Sequence, residues 1–391
     1  MNTAIAGDRQ HYWDTLRALL MLLGIPYHVA LSYRPGQTWI VRSDEGWAPF
    51  VHLAEFIHLF RMPAFFLIAG FFAALLLSRR APGVWLKQRF MRLGIPFITS
   101  IVVLVPILNL ACEFSNLPYS RALSSFVWNS THSGGYWVRH LWFIIVLLYL
   151  SSAATLLCSL FPRLRTACVP EGLDRAMARY LLITLLLGTL GIALWEAAAV
   201  EAFYIAGLAT NVPQQILRLD ELIIYTPWFI TGVLLQRAPA TLTRFTQPHW
   251  LMAPLVALTV WLAFTLPAQL HPAPGRMVTT FAAMAITWTL IGVARRWMDR
   301  PHALVTRFVD AAFVIYLFHL PIVALLVWLG QSVALAPAAK GLAVMALTLA
   351  LSWGAWLVIL RVPVLAVLFN GTTAGTARPV RPAGAPILAT R

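Results

Sequence analysis

Along the chain, apolar residues gather into runs of about 20 separated by short charged segments, the length a helix needs to cross a bilayer. Ten such runs lie near 13–33, 52–78, 93–112, 140–161, 180–200, 222–236, 250–269, 278–294, 308–330 and 341–368. The sixth is short and the last is long. Polarity does not alternate at every second residue, so the runs predict helices and not barrel strands. The pattern predicts an all-α polytopic membrane bundle of about ten helices forming one domain over residues 1–369. Residues 370–391, rich in Gly, Ala, Thr and Pro, are expected to be a disordered cytoplasmic tail.

Composition sharpens this picture. The chain is 60% hydrophobic and 11% charged, with a mean hydropathy of +0.76. Soluble domains are about 45–50% apolar and about 25% charged. A soluble enzyme and a disordered chain are therefore both excluded. The net charge of +15 would suggest nucleic acid in a soluble protein. Its distribution says otherwise. With the N-terminus inside, 19 basic residues fall in cytoplasmic segments and 7 outside, while Arg17, Arg61 and Arg361 fall within spans. This bias predicts cytoplasmic termini and no nucleic-acid partner, because the charge flanks spans and forms no single patch. The first span lacks a basic leader and a cleavage site, so it reads as an uncleaved anchor. Cys112, Cys158 and Cys168 have no zinc or redox spacing.

Ionisable groups inside spans are costly and mark functional sites by default. In the first span Asp14 and Arg17 stand three apart, close enough to pair. Arg17 and His28, eleven apart, share a face about 16 Å apart along the axis, unless Pro26 rotates His28 away. Two readings stay open: the first pair snorkels while His28 bonds a neighbouring helix, or the group is chemical. The second span opens with His52, Glu55 and His58, followed by Arg61. Steps of three leave the two histidines on different faces, so a hydrogen-bonded cluster is expected and no metal. Arg61 cannot lose its proton and needs an anionic partner, from Glu55 or from a ligand. Arg89 and Arg92, with Lys87, follow the second span and suit either topology or an anion. His140, Glu196, Asp310, Tyr316 and His319 are the remaining polar points, and Glu196 has no visible partner.

Taken in order, "DTLRALLMLLGIPYH", "FIHLFRMPAFFLIAGFF", "RFMRLGIPF", "HLWFIIVL", "FVDAAFVIYLFHLP" and "LRVPVLAVLF" resemble the acyltransferase-3 superfamily of integral membrane proteins. Within it they look most similar to the branch that succinylates osmoregulated periplasmic glucans. The resemblance implies a multi-pass protein of the bacterial inner membrane that moves an acyl group from a cytoplasmic coenzyme A thioester to a glucan hydroxyl. It implies His28 as general base, with Arg17 and Asp14 as its catalytic companions on the same span, and Arg89, Arg92 and Lys87 on the coenzyme A phosphates. Arg61 would meet the succinyl carboxylate, with Glu55, His58, His140 and His319 completing the acyl site. Succinyl-CoA would be a co-substrate, with no permanently bound cofactor. Expected partners are the glucan, acyl-CoA, the bilayer and other glucan-synthesis membrane proteins. Segments 113–139 and 162–180 match nothing in the pattern. A secondary transporter or saccharide exporter is the alternative, although the inverted repeats common in transporters are not visible.

Overall fold

The computed structural model describes residues 10–36, 39–208, 211–266 and 271–371. Among these residues there are helices and no strands. The main helices are α1 (His11–Leu22), α2 (Gly24–Ser32), α3 (Pro49–Arg79), α4 (Pro82–Arg89), α5 (Ile95–Asn116), α6 (Tyr119–His132) and α7 (Trp142–Leu160). They continue with α8 (Leu181–Trp195), α9 (Leu219–Gln236), α10 (Met252–Thr265), α11 (Pro272–Trp297), α12 (Ala303–Leu329), α13 (Pro337–Arg361) and α14 (Pro363–Asn370). Each of the ten apolar runs is mainly helical over its described residues. Among the described residues, eight helical segments are long and apolar enough to cross a membrane. The two runs outside that set are α9, which opens with Asp220 and Glu221, and α10, which has 14 residues. The expected tail lies outside the described residues from 372 onward. Asn370 itself ends α14, and Gly371 closes that helix at φ +62°.

Helix α3 runs through the centre and is the most completely buried candidate span. Its tightest partner is α9. A methyl built on Gly70 would overlap the Phe229 carbonyl, and one built on Gly232 would overlap the Leu67 carbonyl. Reciprocal glycines thus let the two backbones touch, the usual device where lipid removes any hydrophobic drive between helices. Phe66 and Tyr225 stack beside this contact, with centroids 4.7 Å apart.

Prolines shape the interior. Proline cannot donate to the carbonyl four residues earlier, which breaks or kinks a helix unless another donor steps in. Pro26 leaves the Leu22 carbonyl without its helical donor, and the first span divides at Leu23 into α1 and α2. Pro227 leaves the Ile223 carbonyl free, and the Trp195 indole donates to it at 2.9 Å. Pro63 and Pro321 lie inside α3 and α12. All four stand within two residues of side chains that line the cavity described next.

Candidate active site

The broken first span, α3, the start of α7, the segment after α8, α9, α11 and α12 enclose a cavity of about 630 Å³. That volume lies within the range of ligand pockets, about 300–1,000 Å³. Of the residues singled out from sequence, His28, His58, Arg61, His140, Glu196 and Tyr316 line it. His319 is 1% exposed and stands directly behind, its ring 5.2 Å from His28 and 5.4 Å from His140. Three segments distant in sequence therefore bring the His28 and His140 rings against His319.

Local bonds orient these rings. The His319 Nδ1 lies 2.6 Å from the Tyr316 carbonyl. A carbonyl only accepts, so Nδ1 carries the proton and the neutral ring presents a lone pair at Nε2. That Nε2 is buried and without a hydrogen-bond partner among the described residues. Gly24 is needed beside it: a Cβ there would fall 3.0 Å from His319 Nε2 and 3.2 Å from an Arg61 terminal nitrogen. His28 stacks on Trp39 with centroids 5.3 Å apart, and its buried Nδ1 also lacks a partner. His58 shares a 3.3 Å hydrogen bond with the Tyr27 hydroxyl. The Tyr316 hydroxyl donates to the His140 carbonyl at 2.7 Å, tying α12 to the start of α7.

Arg61 lies over the Tyr27 ring, 4.8 Å from its centroid, and among the described residues no carboxylate forms an ion pair with it. Glu55 faces away from the cavity: it is exposed and lies 3.9 Å from His52. Helix geometry explains the difference. Each three-residue step falls about 60° short of a full turn, so Glu55 lags Arg61 by about 120°.

Asp14 and Arg17 pair at 3.4 Å but do not line the cavity. Arg17 lies about 16 Å along the first span from His28 by helical rise. Arg89, which packs 5.6 Å over Trp85, is within electrostatic reach of Arg17. Lys87 and Arg92 are exposed nearby. The sequence-derived residues thus fall into two groups, a cavity group around His28 and a basic group around Arg89.

Glu196, conspicuous in the sequence but without a partner there, finds its partners at the cavity, and several further cavity residues carry no mark in the sequence. Glu196 opens a π-helical insertion, Glu196–Val200, that turns its carboxylate inward. The Trp228 indole donates to one of its oxygens at 2.9 Å and the Thr280 hydroxyl to the other at 2.6 Å. Arg139 stands at φ +44°. Arg218 pairs with Asp220 and Glu221, and Arg276 pairs with Glu201. Tyr27, Trp39, Trp142 and Tyr225 supply aromatic walls. Tyr27 adjoins His28 in sequence, and Arg139 adjoins His140. The remainder carried no local signal.

Comparison with known proteins gives this geometry a family. Residues 10–357 match a family model described as an acyltransferase domain, Acyl_transf_3. The chain is 30% identical over 339 residues to the glucans biosynthesis protein C of Salmonella gallinarum, across 82% of this chain and 84% of that protein. Identity and coverage are the same for the proteins of that name from Salmonella typhi and Salmonella typhimurium. No solved structure matches the chain. With the match running from the first helix into α13 and the helices suited to membrane crossing, the chain belongs to the acyltransferase-3 family of multi-pass membrane acyltransferases.

Proposed function

We propose that this protein transfers succinyl groups from a cytoplasmic acyl-CoA to hydroxyls of periplasmic glucans in the bacterial inner membrane. The observation that carries the reading is the meeting of His28, His140, His319, His58 and Arg61 at one cavity inside the bundle. The names of its relatives support a glucan as acceptor.

In this reading the glucan hydroxyl enters from the outer side and its oxygen attacks the thioester carbonyl. His28 takes the hydroxyl proton as the carbon–oxygen bond forms. The carbon–sulfur bond then breaks, and coenzyme A leaves as thiolate toward the inside. Arg61 supplies the cation for the succinyl carboxylate. Arg89, Arg92 and Lys87 hold the nucleotide phosphates at the cytoplasmic end, where forked guanidinium donors suit phosphate. A second assignment of the base has its own support: the bond from His319 to the Tyr316 carbonyl leaves Nε2 free to accept a proton.

Mass spectrometry of periplasmic glucans from cells with and without the gene tests the reading. Succinyl esters present only with the gene support it, and identical glucans refute it. Cysteines placed at Ser43 and Ser78 test the orientation: labelling from opposite sides is expected, and labelling of both from the periplasm overturns it.

A further inference from the structure

Four arginines line the cavity, and they divide sharply by partner. Arg218 is neutralised by Asp220 and Glu221, and Arg276 by Glu201. Arg61 and Arg139 have no carboxylate within ion-pair distance among the described residues. The buried Glu113 accepts from the Tyr136 hydroxyl at 2.8 Å and the Asn129 amide at 3.0 Å, both at one oxygen. Two uncompensated guanidiniums thus face one cavity, both within electrostatic reach of the His140 ring.

Arg139 is held there at a cost. Its backbone sits at φ +44° and ψ −129°, a region suited to glycine and worth about 1–3 kcal/mol of strain for other residues. Its Nε donates to Asn109 Oδ1 at 2.7 Å, and its guanidinium lies 4.6 Å over the Tyr136 ring. Asn109, 1% exposed, is itself fixed by donating to the Tyr136 carbonyl at 2.8 Å. A built scaffold therefore aims a strained arginine into a cavity where a glycine would relieve the backbone. One donor, Nε, is spent on the scaffold. The terminal nitrogens, the pair that grips a carboxylate in forked fashion, remain.

We propose that Arg139 and Arg61 form a carboxylate subsite that binds the far end of a dicarboxylic acyl group and selects it over neutral acyl groups. The inference rests on the acyl-transfer reading above and adds Arg139 as its specificity determinant. Arg61, on α3, meets the carboxylate from beside His28. Arg139, just before α7, meets it from beside His140. The carboxylate keeps its charge throughout, and no bond to it forms or breaks.

The test uses the full-length protein in lipid nanodiscs with an uncharged glucan acceptor and two donors of equal size, succinyl-CoA and its terminal carboxamide. Wild type is expected to favour succinyl-CoA by about 10- to 100-fold in kcat/KM, the range for a hydrogen-bonded charge. Arg139→Gln should remove that preference by lowering the succinyl-CoA value alone, and Arg139→Lys should restore part of it. Equal use of both donors by wild type overturns the subsite, and that comparison needs no variant to fold. A parallel fall for both donors in Arg139→Gln also overturns it, leaving Arg139 a structural role. If the Arg139 effect appears only with anionic glucans, the subsite belongs to the acceptor and the proposal fails. Turnover of neither donor sinks the acyl-transfer reading itself, and the subsite with it.

Discussion

Replacing Glu196 separates shape from charge at the cavity wall. In the native protein its two oxygens accept from Trp228 at 2.9 Å and Thr280 at 2.6 Å, joining the π-helical segment to α9 and α11. Glu196 is 8% exposed, so water cannot readily replace its carboxylate. Glu196→Ala removes two hydrogen bonds to a charged group, each worth about 1.5–3 kcal/mol. Thr280 can still donate to the Arg276 carbonyl at 2.8 Å, which leaves the Trp228 indole as the stranded donor. The expected loss is then about 3 kcal/mol, with one bond lost in full and the other in part. Glu196→Gln should cost less than about 1 kcal/mol. Its oxygen can accept from Trp228 while its amide donates to the Thr280 hydroxyl. Unfolding in a detergent series, followed by tryptophan fluorescence, measures both. An Ala variant as stable as wild type would refute the cluster, and a Gln variant as weak as Ala would show that charge, not hydrogen bonding, holds it.

Two further outcomes follow from packing and from hydrogen bonding outside the spans. Gly232→Ala drives a methyl into the Leu67 carbonyl and should destabilise the protein by about 1–3 kcal/mol or abolish its folding; unchanged melting would contradict the α3–α9 contact. Asp174 accepts from the Ala240 and Thr241 amides and from the Thr241 hydroxyl, capping the helix Pro239–Phe245 from a distant segment. Burial works to raise its pKa, but these bonds outweigh burial and hold it below the usual carboxylate value. A lowered folded pKa contributes stability that is present at neutral pH and lost as pH falls through that pKa. Hydrogen-exchange protection factors at Ala240 and Thr241 should therefore drop on acidification in wild type and stay low and flat in Asp174→Asn. Equal protection in the two proteins at neutral pH would remove the cap.

The sequence made the helices legible because a membrane imposes length and apolarity together, and each of the ten apolar runs is mainly helical over its described residues. It made the cavity partly legible, because charge within hydrocarbon is conspicuous: His28, His58, Arg61 and His140 stand out on that ground alone. Glu55 stood out for the same reason and points elsewhere, since composition registers a residue and not its angle on the helix. Glu196 was visible without an account, because the π-helical turn that aims it changes the register without changing polarity. Arg139 looked like a loop charge. Its role as a cavity wall depends on a positive φ and on Asn109, 30 positions away, neither of which leaves a periodic trace. The prolines carry more signal than the kink at Pro26 alone. Pro26, Pro63, Pro227 and Pro321 each lie within two residues of the cavity wall, where a backbone broken inside the membrane must border protein or water and not lipid.

The central claim is that the imidazoles around this cavity perform acyl transfer with His28 as the base. Single-turnover transfer from succinyl-CoA to glucan by His28→Asn tests it most directly, with acyl-CoA binding measured on the same preparation. Asn can still hydrogen-bond a neighbour but cannot accept a proton near neutral pH. The account predicts that binding persists while the transfer rate falls by about 10²–10⁴-fold, the usual contribution of a positioned base. A transfer rate within a few-fold of wild type would contradict it.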